Sequence, residues 1–128
     1  NLSQHTGGAL KFHFKTTYQG QFKFGIKTGN GESWINIPAA TNLYGIIRDG
    51  AWHEISIPMS EFLNPALGRE CDYMSVKSAF MFAGDAPASS ADFYFDNIYF
   101  SQNKYLIKMA LIDHNHYLDY LIDKSLNI

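Results

Sequence analysis

The chain has 128 residues, 46% of them hydrophobic, which is enough for one domain with its own core and too apolar for a disordered segment. A net charge of −2 gives no long-range pull toward nucleic acid or an anionic membrane, and no apolar run reaches spanning length. The single cysteine, Cys71, excludes an internal disulfide and a cysteine-rich metal knuckle, which fits a cytosolic protein or a bacterial exported one equally well.

Leu10, Phe12 and Phe14 alternate with Lys11, His13 and Lys15, the pattern of a half-buried strand. After a turn at Thr17-Tyr18-Gln19-Gly20, Phe22, Phe24 and Ile26 alternate with Lys23, Gly25 and Lys27. The turn Thr28-Gly29-Asn30-Gly31 leads to a third strand, Glu32 to Pro38, with Ser33, Ile35 and Ile37 on one face and Trp34 and Asn36 on the other. Short Gly- and Asn-bearing turns predict these three strands as an antiparallel meander. A loop from Ala39 to Gly50 carries Tyr44 and Arg48, and a fourth strand, Trp52 to Ile57, ends at Pro58. Ser60-Glu61-Phe62 reads as a short helical turn and Asn64 to Asp72 as loop. Val76 to Ala83 is a fifth strand, Gly84 to Ser90 a loop, and Ala91 to Ser101 a sixth strand. Short strands at this spacing predict an all-β fold, an antiparallel β-sandwich or jelly roll, over residues 1–101.

Residues 102–128 read as a C-terminal extension. Tyr105 to Ile112 is a candidate seventh strand. Beyond it, Tyr117, Leu118, Leu121, Ile122 and Leu126 fall near helical spacing, with Asp113 or Asn115 as cap, giving a candidate short C-terminal helix. The chain shows no signal peptide and starts at Asn1 without Met, so it is expected to be a processed or excised piece of a longer protein.

The sixth strand carries one carboxylate inside an aromatic run. Phe93 and Phe95 share a face, while Ile98 and Phe100 are out of phase with them. One extra residue near Asp96-Asn97 restores the phase, so a β-bulge is expected there. A carboxylate beside so much apolar surface calls for a metal ion, a backbone donor or an Arg.

Trp52-His53-Glu54-Ile55-Ser56-Ile57-Pro58-Met59-Ser60-Glu61-Phe62, followed about 35 residues later by Phe93-Tyr94-Phe95-Asp96-Asn97-Ile98-Tyr99, resembles the β-sandwich, galactose-binding-like carbohydrate-binding modules of bacterial polysaccharide-degrading enzymes. The likeness runs from about Gly8 to Ser101. It implies a non-catalytic, secreted or cell-surface bacterial module that holds a tethered or partner glycoside hydrolase on a polysaccharide, with a β-glucan or related hemicellulose favoured. It also implies that Trp52 closes the core and that Asp96 binds a structural calcium. The acidic N-terminal ligands such modules supply have no counterpart in Asn1 to Ala9. The alternative is a structural or protein-interaction sandwich of a larger secreted protein, with outer aromatics as an inter-domain interface.

Sixteen per cent of the chain is aromatic, with ten Phe, eight Tyr and two Trp, so some rings are expected to face solvent or a ligand. As a meander, the first three strands would display His13, Lys23, Trp34 and Asn36 together with Lys11, Lys15 and Lys27. A flat ring beside amide, ammonium and imidazole groups suits a sugar, which stacks its C–H face and hydrogen-bonds through its hydroxyls. The competing reading is an ordinary solvated face. The lysines fit either an acidic polysaccharide or the protection of sheet edges. Tyr44 and Arg48 are candidate contacts from the loop, Arg48 alternatively pairing with Glu61 or Glu54, and Tyr94 and Tyr18 are weaker candidates. His114 and His116 form an H-x-H pair with no third metal ligand in view. No nucleophile elbow, phosphate loop, dinucleotide fingerprint or H-E-x-x-H motif occurs. Asp92 and Asp96 share one strand with no cleft implied between them, so catalysis is not expected.

Overall fold

A computed structural model describes residues 1–85, 87 and 90–102. It contains six strands: β1 (Ala9–Thr16), β2 (Phe22–Thr28), β3 (Gly31–Ile37), β4 (His53–Pro58), β5 (Val76–Gly84) and β6 (Phe93–Phe100). Single turns of 3-10 helix stand at Ser3–His5, Leu43–Gly45, Met59–Glu61 and Pro65–Leu67. The fold is all-β, and each of the six strands expected within residues 1–101 is present within two residues of its reading. The expected seventh strand, the C-terminal helix and the His114–His116 pair lie outside the described residues.

The strands form two antiparallel three-stranded sheets, ordered β4-β1-β6 and β3-β2-β5. This corrects the expected meander. β2 and β3 are a hairpin, but β1 belongs to the other sheet, and residues 17–21 cross between the two. Alternation places Leu10, Phe12 and Phe14 inward from one sheet and Phe22, Phe24 and Ile26 inward from the other, all 0–1% exposed.

The space between the sheets is filled mainly by phenylalanine. Phe12, Phe14, Phe22, Phe24, Phe80, Phe82, Phe93 and Phe95 form one cluster with ring centroids 4.8–6.2 Å apart in its closer pairs, mostly tilted or edge-on. Such geometry suits the ring quadrupole, and burying each ring contributes roughly 1.5–3 kcal/mol. All ten Phe are buried or half-buried, so the core absorbs that part of the aromatic excess. The rings left outside are Trp and Tyr.

The bulge in β6 stands where the phase change placed it. Asp96 pairs with His13 and Tyr99 with Lys11, so Asn97 and Ile98 together face Phe12. Asn97 takes φ 52°, the left-handed conformation that Asn tolerates better than most residues. The bulge returns Phe100 to the face of Leu10, while Ile98 stays 43% exposed.

Candidate functional site

The crossing of residues 17–21 separates the expected site residues. Trp34, Asn36 and Lys23 lie on the outer face of the β3-β2-β5 sheet. His13 and Tyr94 lie on the outer face of the β4-β1-β6 sheet, on the far side of the core. The polar groups expected to surround one tryptophan therefore belong to two surfaces.

On the β3-β2-β5 face, Trp34 pairs with Gly25, and Gly25 pairs on its other side with Met81. A Cβ on Gly25 would come within 2.7 Å of the indole, so the ring lies across the bare backbone of β2. Trp34 is held there from two more directions. Its Nε1–H donates to Glu32 Oε1 at 3.0 Å, and the Lys23 ammonium sits 4.3 Å from the ring centroid. The neighbouring row is Asn36, Lys23 and Ala83, with Gln21 Nε2 donating to Asn36 Oδ1. The result is a fixed, half-buried ring over the bare backbone of Gly25, with an amide pair beside it and the Lys23 ammonium over the ring.

Behind Trp34 stands a network that the sequence reading missed. Arg69 Nε donates to the Trp34 carbonyl at 3.1 Å, and its Nη1 reaches the Glu61 carbonyl at 3.3 Å and Glu61 Oε2 at 3.4 Å. The Glu61 carboxylate also accepts from the half-buried Tyr44 hydroxyl; burial first, and then this carboxylate, push that hydroxyl above its ordinary pKa. Tyr44 thus stands in a chain that braces the β3 edge. Glu61 pairs with Arg69, not with Arg48 as one reading had it.

Arg48 is 8% exposed, and its guanidinium is consumed by backbone carbonyls. It donates to Thr41 O at 3.2 Å, Pro38 O at 2.9 Å, Tyr18 O at 2.9 Å and Gly20 O at 2.5 Å, and lies 4.5 Å from the Phe22 ring centroid. These donors fasten the Ala39–Gly50 loop to the crossing segment. Tyr18 likewise turns inward, its ring 5.5 Å from Phe93.

Trp52 is also corrected. It does not close the core but is 47% exposed, beside the outward Lys15, whose ammonium lies 5.5 Å from the Trp52 ring and 4.9 Å from the Tyr94 ring. Strand parity carries this signal: Ile55 and Ile57 point in, so Trp52 goes with Glu54 and Ser56.

Asp96 lies exposed on that same face, with Oδ1 accepting the Asn97 N–H at 2.8 Å, and Asn97 Nδ2 is 3.2 Å from His13 Nδ1. Calcium needs six to eight oxygens. Among the described residues no group of three or more His, Cys, Asp or Glu side chains converges at Asp96, so acidic side chains alone do not assemble a calcium site there. Saturating Ca²⁺ or a chelator should leave the thermal unfolding midpoint of the chain where it is; a rise on adding Ca²⁺ would restore the metal.

Cys71 is 4% exposed, and burial pushes its thiol up to about 11 from 9.0; burial raises the neighbouring Tyr73 hydroxyl as well, and that hydroxyl donates to the Met59 carbonyl. Both acids hold their protons more tightly when folded. Stability should therefore be intact below pH 9.0 and fall as pH rises toward 11. Urea midpoints across that range should show the decline, with Cys71→Ala reducing it. The thiol should resist aromatic disulfide reagents at neutral pH until the chain is unfolded.

The family model described as "Carbohydrate binding domain 30" matches residues 1–102. Neither a curated protein nor a solved structure matches the chain.

Proposed function

The chain belongs to the carbohydrate binding domain 30 family, and from that membership we propose that it holds a glycoside hydrolase, tethered or partnered, on a polysaccharide through the Trp34 face. One observation carries the choice of face: the Trp34 indole laid across Gly25 and pinned by Glu32 and Lys23. A ring fixed in this way loses little further freedom when a sugar stacks on it. Asn36 and Gln21 supply donors and acceptors for hydroxyls beside the stacked sugar, and the Lys23 ammonium, which lies over the ring, swings to a hydroxyl as the sugar stacks. Tyr44 and Arg69 brace the edge, and Arg48 holds the loop, without contacting ligand.

A single ring with a few polar neighbours gives modest affinity, and tethering turns that into a high local enzyme concentration on an insoluble or viscous substrate. The favoured ligands are β-glucans or related hemicelluloses, met outside the cell or at its surface. The role is binding without catalysis, which agrees with the family.

Affinity electrophoresis of the chain in gels containing hydroxyethylcellulose, mixed-linkage β-glucan or xylan tests this. Retardation is expected in at least one gel. Trp34→Ala should weaken it by about tenfold or more, on the order of 1.4–2 kcal/mol for a central stacking ring. Gly25→Val, which displaces the ring without removing it, should do the same. Binding in every gel that neither variant changes would reject the Trp34 face.

A further inference from the structure

The outer face of the β4-β1-β6 sheet presents a second set of rings. We propose that it is a second carbohydrate-binding surface, taking an extended, uncharged polysaccharide chain along β1 from Trp52 and Tyr94 at one end to Tyr99 at the other. The proposal rests on the carbohydrate-binding reading but on residues that the Trp34 face does not use.

The face is ordered in rows by strand register. Tyr94 pairs with Lys15, and the Lys15 ammonium reaches across to Trp52. Glu54 and Asp96 flank His13 in the next row, and Ser56 and Tyr99 flank Lys11 in the last. Trp52, Tyr94 and Tyr99 are 47%, 47% and 49% exposed. Lys11 and Lys15 are four residues apart, so the two aromatic ends stand about 13 Å apart along the strand.

That order decides what fits. A protein-protein interface has an apolar centre depleted of charge and a polar rim. Here the centre is Glu54, His13 and Asp96, and the rings are at the ends. An occupant must therefore hydrogen-bond in the middle and offer apolar faces at both ends, as a chain of pyranose rings does. Charge points the same way: the ammoniums of Lys11 and Lys15 are matched by the carboxylates of Glu54 and Asp96, which favours an uncharged ligand over an acidic one. The Lys11–Ser56 row also opens into a cleft of 460 Å³ lined by Gly8, Pro58 and Ser101, a volume in the range of small-ligand sites. Its walls are fixed, because Ala9 N–H donates to Ser101 Oγ at 2.7 Å and Met59 N–H to Gly8 O at 3.0 Å.

Affinity electrophoresis with the same three polysaccharides, on the whole chain, separates the two faces. In the Trp34→Ala background residual retardation should persist, and adding Trp52→Ala with Tyr94→Ala should reduce it by about tenfold. Trp52→Phe with Tyr94→Phe should keep most of it, because the rings remain. Circular dichroism and unfolding midpoints exclude loss of fold, since all three side chains are outside the core. If Trp34→Ala alone abolishes retardation, the second surface is overturned and the first stands. If the Trp52 and Tyr94 changes abolish it and Trp34→Ala does not, the second surface stands and the first falls. If wild type binds none of the three but self-associates in sedimentation through Trp52 and Tyr94, the face is a protein contact and the proposal is overturned.

Discussion

Arg48→Ala should destabilise the chain by about 3–5 kcal/mol, read as a fall in the urea midpoint with the slope unchanged. One guanidinium satisfies carbonyls from Thr41, Pro38, Tyr18 and Gly20, and covers Phe22. Hydrogen bonds to a charged donor contribute about 1.5–3 kcal/mol each when intact, and carbonyls left unpaired in a part-buried site add a desolvation cost. Arg48→Lys should recover little, since an ammonium cannot span acceptors set around a planar fork. Arg48→Met should recover only the contact with Phe22. A loss below about 1 kcal/mol for Arg48→Ala would mean that water replaces the guanidinium, and that the Ala39–Gly50 loop is not anchored by it.

Phe14→Ala should cost as much, about 3–5 kcal/mol, for a different reason. The Phe14 ring touches those of Phe12, Phe22, Phe24, Phe82, Phe93 and Phe95, so it contacts strands from both sheets. Its removal leaves a void lined by rings that strands hold in place, and relaxation into the void is limited. Phe14→Leu should cost much less. Neither change touches the outer faces, so at a temperature where the variants remain folded their retardation by polysaccharide should match wild type.

Strand positions, inward faces and the bulge near Asn97 were legible in the sequence because each follows from local alternation. Which strands share a sheet was not. Phe12 and Phe22 point inward whether residues 17–21 make a hairpin or cross between sheets, so parity cannot tell the two apart. That ambiguity merged two surfaces into one expected site and set His13 beside Trp34. Trp52 was legible by parity with Glu54 and Ser56. Its assignment to the core came from the family likeness rather than from the alternation. The duty of Arg48 was hidden because its partners are carbonyls, which carry no residue-type signal. The Arg69–Glu61–Tyr44 chain depends on a turn at Met59–Glu61 that brings Glu61 to the β3 edge, a long-range event without a local pattern.

The way the strands are shared between sheets also sets the order in which the domain can be made. Among the described strands only β2 and β3 are neighbours both in sequence and in a sheet; β1 must wait for β4 and then for β6. Closing such distant pairs is entropically costly before any contact rewards it, so folding should fall in the slow, millisecond-to-second range of sandwich proteins. During synthesis the Phe12 and Phe14 face has no β6 beside it until Phe100 has left the ribosome. For that interval the future interior of the module is a sticky surface, and refolding yield should fall as the chain concentration rises.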